Sequence, residues 1–397
     1  GHVGMSGSVA NASDFIRGIT FKPNELIAVE ADDAIVCMRT KNVQKDLDDR
    51  DLIAVPSRLV RNKEKLLRHG DILISSANSW ELVGKCSYVG ELAYPATAGG
   101  FIAIVRPKKH THPRYLYHWL TSPKTQHKIR HCGRQTTNIS NLDVGRFKEL
   151  PFPEFEFDEQ RRIAALLDKA DAIRRKRQQV LALADDFLKS VFLEMFGDPH
   201  RNPHNYPVRK LETLLTIPLR NGISPSSKGA VSAGVLTLSA ITGEKFDATQ
   251  IKEGKFLRPI SRTDQVDVGD FYICRGNGSP DLVGKGYFAS KSMEGVAFPD
   301  TMIAAKINAE EVCRGFFEMI WNSQFVRGQI IEAARTTNGT YKINQTATGG
   351  IKIPTPPKAA QETFEDVFRK VHHLRERLSF ADDLFASLSQ RAFRGEL

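Results

Sequence analysis

The sequence has few cysteines and no long apolar run. Its five cysteines are scattered, odd in number and never arranged as Cys-x-x-Cys: Cys37, Cys86, Cys132, Cys274 and Cys313. This usage argues against a disulfide framework or a zinc ribbon and predicts reduced thiols in a cytoplasmic protein. No run of eighteen apolar residues occurs, and the N-terminus lacks a basic start followed by an apolar core. Neither a membrane span nor a secretion signal is therefore predicted.

Motifs for catalysis are also missing. The stretch GNGSPDLVGKG places five residues between Gly278 and Gly284, where a phosphate-binding P-loop needs four. A glycine follows Lys285, where that loop needs Ser or Thr. His127 and His131 are four residues apart, but Lys128 stands where a zinc hydrolase needs Glu. We predict neither a nucleotide-hydrolysing site nor a metal site.

Positive charge is what the sequence does have. It carries 56 Lys and Arg against 46 Asp and Glu, a net charge of +10. Such a balance favours polyanionic partners, with nucleic acid first. A length of 397 residues allows two or three domains with well-filled cores.

The central feature is an internal repeat. GDILISSANSWELVGK (70–85) is echoed by GDFYICRGNGSPDLVGK (269–285), about 200 residues later. Five further matches keep the same order and nearly the same offset: FIRGIT with LRNGIS, YPAT with FPDT, YLYHWLTS with GFFEMIWNS, RQTTN with ARTTN, and ELPFPEF with KIPTPP. A solenoid repeats every 20–50 residues, so an offset this long indicates a duplicated domain instead.

A long helical segment follows each copy. The first has apolar residues on the a and d positions of one heptad frame: Ile163, Leu166, Ala170, Ile173, Val180, Ala184, Phe187 and Val191. The second repeats the pattern: Phe364, Val367, Val371, Leu374, Leu378, Ala381, Phe385 and Leu388. Four to five such heptads predict coiled-coil helices of roughly 55–60 Å. Because each helix would leave its apolar seam in water, we expect the two to pair with each other, antiparallel.

The predicted fold class is α+β, with two similar mixed α/β domains alternating with two long helices that pair as an antiparallel coiled coil. We expect the first domain over 11–156, the first helix over 157–197, the second domain over 198–356 and the second helix over 357–397. The first ten residues are expected to lie outside the fold. Within the domains, short strands and one helix each, around 113–130 and 312–332, are predicted.

This order of elements resembles the DNA-specificity subunit of type I restriction–modification enzymes. The most specific element is the junction LPFPEFEFDEQRRIAALLD, where a Pro-bounded apolar stretch opens a long helix. The resemblance covers the chain from about residue 11 onward. Two departures occur: KIPTPPKAAQETFEDV lacks the EQRR pattern, and the first copy lacks a counterpart of YPVRKLETLL.

The resemblance implies a function and partners. Each globular unit would be a target-recognition domain that reads one half of a bipartite, asymmetric site in double-stranded DNA. The paired helices would set the spacing and dock two methyltransferase subunits, and nuclease/translocase subunits would join for cleavage. The chain itself would be non-catalytic, with S-adenosylmethionine bound by the methyltransferase. In agreement, its one Pro-Pro pair, Pro356-Pro357, lacks the preceding Asn or Asp of an amino-methyltransferase loop.

Polar residues of the repeat that differ between the copies are candidate DNA contacts. Side chains around the echoed turn can bond base edges or phosphates, although a plain turn between strands is the alternative: Ser76, Asn78, Ser79, Lys85, Arg275, Asn277, Ser279 and Lys285. A second set lies in two hydroxyl- and amide-rich loops, where a self-capping turn is the alternative: Arg134, Thr136, Thr137, Asn138, Arg335, Thr336, Thr337, Asn338, Tyr341 and Lys342.

Two further questions stay open at the sequence level. The charged run holding Arg174, Arg175 and Lys176 is interpreted by default as a solvated helix face, and alternatively as a contact to phosphate or an acidic partner. For the whole chain, a stand-alone DNA-binding protein and a duplicated scaffold for protein assembly are alternative functions.

Overall fold

The computed structural model describes residues 6–135, 139–337 and 339–396. Two compact units make up the chain. The first, unit 1, comprises Gly1–Gln179 with Ser379–Leu397, and the second, unit 2, comprises Val180–Leu378. Each unit thus holds one globular domain and a part of each long helix. Among the described residues, no helix combines the length and the apolar character needed to cross a membrane.

Unit 1 mixes short strands and helices. Its strands are β1 (Ser6–Ser8), β2 (Ser13–Arg17), β3 (Ala34–Met38), β4 (Ala54–Pro56), β5 (Ile72–Ser75), β6 (Ala77–Asn78), β7 (Cys86–Tyr88), β8 (Ala96–Ala98), β9 (Ile102–Pro107), β10 (Gly133–Gln135), β11 (Ser140–Leu142) and β12 (Pro151–Pro153). Its helices are α1 (Val9–Ala12), α2 (Pro113–Thr121), α3 (Pro123–His131), α4 (Val144–Lys148) and the first part of α5 (Phe157–Phe196). The sheets have the orders β2-β9-β5-β7, β4-β3-β8, β10-β11-β6 and β1-β12.

Unit 2 repeats this arrangement. Its strands are β13 (Val208–Lys210), β14 (Arg220–Asn221), β15 (Val231–Leu236), β16 (Ile251–Phe256), β17 (Gln265–Val266), β18 (Phe271–Cys274), β19 (Gly276–Asn277), β20 (Gly286–Phe288), β21 (Met293–Ala297), β22 (Met302–Ala305), β23 (Arg335–Thr337), β24 (Thr340–Lys342) and β25 (Lys352–Pro354). Its helices are α6 (Ser239–Thr242), α7 (Arg314–Trp321), α8 (Gln324–Ala333), α9 (Gln345–Gly349) and α10 (Lys358–Ala392), whose last part belongs to unit 1. The sheet orders β14-β22-β18-β20, β16-β15-β21-β17, β23-β24-β19 and β13-β25 match those of unit 1, except that β17 adds a fourth strand to the second sheet. The predicted duplication and fold class are confirmed.

The central sheet of each unit is buried on both faces. In β5, Ile72 and Ile74 belong to the core beneath the helices, whereas Leu73 belongs to the core beneath β3 and β8. In β18, Phe271 and Tyr272 divide between two cores in the same way. Successive side chains of a strand point to opposite faces, so a continuous apolar run is what a strand covered on both sides requires.

The glycine that the echo retains has a geometric reason. Gly84 and Gly284 have φ angles of 84° and 75°, which side chains with a Cβ rarely adopt. An added Cβ would also lie 2.4 Å from Ile129 at Gly84 and 2.6 Å from Ile330 at Gly284. The turn needs glycine in both copies.

The echoed aspartate forms a buried ion pair with an arginine that comes from a different strand in each unit. Asp71 accepts two hydrogen bonds of 2.8 Å from Arg106 of β9. Arg106 also donates to the carbonyls of Glu64 (2.9 Å) and Leu66 (2.8 Å), so its guanidinium is well satisfied. In unit 2, Asp270 pairs with Arg220 of β14.

Residues before position 11 belong to the fold, contrary to expectation. Ser6 pairs with Pro153 in β12, just as Val208 pairs with Pro354 in unit 2. Val9 is 1% exposed and lies in the core of unit 1. The expectation that the first ten residues lie outside the fold is therefore wrong for 6–10, and a counterpart of YPVRKLETLL is present without matching letters. The other domain limits stay predictions.

The predicted single helix of each domain is two helices. α2 and α3 meet at Ser122, where Pro123 removes a backbone donor and begins the second helix. In unit 2 the break lies between α7 and α8, where Asn322 donates to the Gly286 carbonyl at 2.8 Å. The end of α7 is thus fixed by a side-chain hydrogen bond and without a proline.

A buried glutamine fixes the start of each long helix to its own domain. Gln160 accepts from the His112 amide (2.9 Å) and donates to the carbonyls of Phe155 (2.8 Å) and His110 (3.1 Å). Gln361 forms the same three bonds, with Cys313 (2.9 Å), Pro356 (2.8 Å) and Glu311 (3.2 Å). The second junction lacks EQRR, but it keeps the glutamine that matters for this attachment.

The long helices contact each other in an antiparallel sense within each unit. In unit 2, the Phe196 ring lies 5.7 Å from Phe364, and Asp185 forms an ion pair with Arg375. The later residue of α5 thus meets the earlier residue of α10. In unit 1, the Arg174 guanidinium lies 4.8 Å from the Phe385 ring. The predicted pairing direction is confirmed for the described contacts.

The predicted heptad frame is wrong in part. Leu166, Ile173, Val180 and Phe187 are exposed on α5, and Leu374 is exposed on α10. The buried apolar residues of α5 include Leu167, Leu188, Phe192 and Phe196. These side chains belong to the cores of the globular domains, so burial follows the domain surfaces and not one strict seven-residue seam.

The charged run on α5 is partly buried by ion pairs. Arg174 and Arg175 donate to Asp171 at 2.6 and 2.7 Å, and Arg175 also pairs with Asp46. Burial raises the pKa of Asp171, but hydrogen bonds from the two arginines outweigh it and hold the pKa at about 2. The interpretation of a solvated face is wrong for these two arginines, whereas Lys176 is exposed.

We expect Asp71→Asn to destabilise unit 1 strongly. The substitution removes the buried partner of the Arg106 guanidinium and leaves it only the exposed Glu64 carboxylate, at 3.0 Å, which costs about 3 kcal/mol of the free energy of unfolding. Urea denaturation measures the change. Asp158→Asn is the control, since that carboxylate is 85% exposed beside Arg161 and should contribute nothing measurable. Equal denaturation midpoints for the two variants would contradict the role given to the buried pair.

Candidate nucleic-acid interface

Two segments that are distant in the sequence form one small sheet in each unit. In unit 1, β6 of the echoed turn pairs with β11, and β11 pairs with β10 of the RQTTN loop. In unit 2, β19, β24 and β23 do the same. The two sets of candidate residues therefore lie side by side on a three-stranded sheet, twice. We call these the small sheets of units 1 and 2.

The hydrogen-bond register makes the two small sheets comparable residue by residue. Asn78 lies opposite Ser140, and Asn277 lies opposite Tyr341. Equivalent positions hold Ser76 and Arg275, Ala77 and Gly276, Ser140 and Tyr341, and Asn141 and Lys342. The backbone is shared, whereas most of the side chains differ in charge and size.

Some candidate residues lie outside the described part of the chain. These are Thr136, Thr137, Asn138 and Asn338. For Arg134 and Thr337 the structure describes the backbone, which lies in β10 and β23. Their contacts to DNA stay predictions.

The retained asparagine shapes the turn in both units. The Asn78 side-chain oxygen accepts from the Ser79 amide at 2.8 Å, and the Asn277 oxygen accepts from the Ser279 amide at 3.0 Å. Ser279 in turn accepts from the Asp281 amide at 3.3 Å. Short polar side chains that bond their own loop in this way define its conformation. The Asn78 amide also donates to the Ser75 hydroxyl at 3.3 Å, so these residues hold the loop.

The two candidate lysines point inward. Lys85 bonds the side chain of Gln44, and Lys285 donates to the Thr242 carbonyl at 3.1 Å. Burial lowers the pKa of Lys285. Both ammonium groups attach the strand after the echoed turn to a neighbouring segment of the same domain. Their geometry is that of an internal clamp, and DNA contact by either stays a prediction.

Among the candidates whose side chains are described, Ser79 is exposed in unit 1 and three are exposed in unit 2. Arg335, Thr336 and Lys342 are exposed on β23 and β24, and Tyr341 is half-buried beside them. Arg275 is half-buried and donates to the Asp300 carbonyl at 3.1 Å. Guanidinium and ammonium groups that reach solvent from a narrow strand pair suit phosphates and guanine edges.

Several residues at this edge of unit 1 escaped the sequence analysis. Phe101 is 64% exposed, and its carbonyl accepts from the amides of Ser76 (2.9 Å) and Ala77 (3.3 Å). Trp80 contacts His131 edge-on, with ring centroids 5.4 Å apart. Phe101 begins an apolar run that is typical of a buried strand, so the run itself does not predict that Phe101 is exposed. The Gly-Gly pair before it, which marks a turn, is the available signal.

The helix that leads into the unit 1 hairpin is basic. α3 carries Lys124, Lys128, Arg130 and two histidines, whereas the equivalent α8 carries Arg327 and Glu332. Arg327 donates to the carbonyls of Val283 and Pro280, so it holds the echoed turn. Both units carry an arginine at the same strand position, Arg134 and Arg335; unit 1 adds the cations of α3, and unit 2 adds Lys342 on β24.

The thiols of the chain are poor nucleophiles. All five cysteines are buried, and burial raises the pKa of Cys37 to about 12 and that of Cys274 to about 11. Because the thiolate is the reactive form, these groups suit core packing.

Comparisons with known proteins agree with this geometry. Residues 9–182 match the family described as "Type I restriction modification DNA specificity domain". The chain is 25% identical to the "Type I restriction enzyme EcoKI specificity subunit" of Escherichia coli K12, with 98% of this chain and 88% of the relative covered. It is 24% identical to the "Type I restriction enzyme StySPI specificity subunit" of Salmonella potsdam, with the same coverage.

A solved structure shares the fold. The S subunit of a type I restriction–modification system from M. genitalium gives a TM-score of 0.56 at 14% identity. The similarity covers 98% of this chain and 96% of that one.

The inward and outward lysines should behave differently on a DNA probe. We expect Lys342→Ala to lower the slope of log affinity against log salt by about 0.9, the value of one lost phosphate contact. Lys285→Met should leave the slope unchanged and lower the thermal midpoint, because it removes an internal clamp. Titrations at several salt concentrations and thermal melts measure both. A slope that falls equally in the two variants would place Lys285 on the DNA.

Proposed function

We propose that this chain is a DNA-specificity subunit of a type I restriction–modification enzyme, in which each globular domain reads one half of a bipartite, asymmetric DNA site. The observation that carries the proposal is the small sheet, which is built twice on one backbone register with different side chains. A shared scaffold fixes where side chains are presented, and different side chains at those places select different bases.

The two kinds of contact have separate roles. Exposed cations, such as Lys342 and Arg335 in unit 2 and those of α3 in unit 1, neutralise phosphates and hold the register on the duplex. Polar and apolar groups of the small sheets meet base edges and provide the sequence preference. The net charge of +10 supports this division, since phosphate contacts require cations on the surface.

The long helices act as the spacer between the half-sites. α5 has 40 residues and α10 has 35. At a rise of 1.5 Å per residue such helices are roughly 50–60 Å long, which exceeds one turn of duplex DNA. The buried glutamines Gln160 and Gln361 support this role, because each attaches a domain to the start of its own helix.

The exposed apolar side chains of α5 dock the two methyltransferase subunits. In unit 2, Leu183 is 68% exposed, Phe187 53% and Val180 42%. They are three and four residues apart, so they lie on one face of the helix. An apolar stripe of this kind, left open beside charged neighbours, marks a contact surface for a protein partner.

Catalysis then belongs to the partners. S-adenosylmethionine and the flipped adenine are held by the methyltransferase, and cleavage requires nuclease/translocase subunits. This chain provides the DNA sequence specificity. Buried reduced thiols support a cytoplasmic location, where such an assembly meets DNA.

A methylation assay tests the division of labour. The purified chain with duplex DNA and S-adenosylmethionine should transfer no methyl group, because it carries no adenine-binding loop of its own. Addition of the cognate methyltransferase should give methylation of one adenine in each half-site. Robust transfer by the chain alone would overturn the proposal.

The docking surface has its own test. Phe187→Glu should abolish co-purification of the methyltransferase, since it places a charge in the apolar stripe, and DNA affinity of the chain alone should be unchanged. Gln178→Glu is the matched control, since that exposed residue lies on the opposite face of α5 at 3.6 residues per turn. Normal co-purification of the Phe187 variant would rule out this stripe.

A further inference from the structure

An apolar edge borders the small sheet of unit 1. Phe101 is 64% exposed, Ile139 47% and Leu82 43%. Ile139 directly precedes β11, and Leu82 lies in the turn after β6, where its amide donates to Ser79 at 3.0 Å. Phe101 adjoins β6 from the other side, through the bonds of its carbonyl to Ser76 and Ala77. Three large exposed apolar side chains therefore adjoin the small sheet of unit 1.

The fold does not require this apolar character. Phe101 has Thr301 as its counterpart, because the Thr301 carbonyl accepts from Arg275 at 2.9 Å just as the Phe101 carbonyl accepts from Ser76. Ile139 has Thr340 as its counterpart by the register of β11 and β24. Unit 2 forms the same small sheet with hydroxyl groups at both positions. Leu82 is matched by Leu282, so only Phe101 and Ile139 are apolar in unit 1 alone.

We propose that Phe101 is a specificity-determining residue that contacts the 5-methyl group of a thymine in the half-site read by unit 1. The inference rests on the proposed function. In the major groove the thymine methyl is the apolar group among base edges that otherwise present donors and acceptors. An exposed aromatic ring beside strands that present polar groups to the same groove has that methyl as its matching partner.

The surroundings favour a groove contact over insertion between base pairs. β-strands can enter the major groove, and the small sheet of unit 1 is made of three short strands, β10, β11 and β6. The cations of α3, which leads directly into β10, are placed to bind the flanking phosphates. Wedge residues act in the minor groove and unstack the base step that they enter. A groove contact depends on the thymine methyl group, whereas insertion depends on unstacking of a base step, so an experiment can distinguish them.

Deoxyuridine substitution tests the proposal. The target is first defined by mapping methylated adenines, and each thymine of both half-sites is then replaced singly by deoxyuridine, which removes the methyl alone. We expect the full chain to bind about fourfold more weakly when one particular thymine of one half-site is replaced, the factor expected from losing one buried carbon group. In the Phe101→Ser variant that thymine-to-uracil ratio should fall to about one.

The control is Phe157→Ser, which removes another half-exposed aromatic, 42% exposed at the start of α5. It should keep the full fourfold ratio. If no thymine replacement affects the wild-type chain, or if Phe101→Ser weakens binding and leaves the ratio intact, the methyl contact is wrong; the second result would indicate insertion between base pairs. Failure of the proposed function is distinct, because the mapped duplex would then be bound no better than unrelated DNA.

Discussion

The attachment of each long helix by a buried glutamine is the constraint on which the rest of the structure depends. Gln160 is 3% exposed and Gln361 0%. A buried amide must satisfy both its oxygen and its nitrogen, and each glutamine does so with the loop before the domain's helices and the strand end before the long helix. The direction in which each helix leaves its domain is thereby set in the same way twice.

The comparison of the two units separates what the fold needs from what it tolerates. The turn glycine is fixed by its positive φ and by the isoleucine against it, so it is retained. The buried aspartate is retained, but its arginine comes from β9 in unit 1 and from β14 in unit 2. A buried carboxylate needs a cation and does not specify its origin in the chain. Identity between repeats can therefore fall far while the sheet order stays the same.

These differences explain how much the sequence could predict. The repeat and the alternation of domains and long helices follow from pattern, because local propensity and burial agree there. The predicted heptad frame is wrong in part because the core of unit 2 buries Leu188 and Phe192 and leaves Phe187 exposed. The pairing of β6 with β11 depends on contacts across some sixty residues, which periodicity cannot reveal. Nor can it show that Lys85 points inward and Phe101 outward.

The two reading surfaces differ in kind, which bears on how one chain recognises an asymmetric site. Unit 2 presents Arg335, Lys342 and hydroxyl groups on its strands, so under the proposed function its phosphate and base contacts come from one narrow surface. Unit 1 keeps an arginine at the equivalent strand position, Arg134, and adds the cations of α3 and the exposed side chain of Phe101. Charge attracts any duplex, whereas an apolar side chain gains only where a methyl group meets it. Under the proposed function, unit 1 therefore adds a methyl contact to its polar contacts, whereas unit 2 relies on cationic and hydroxyl groups.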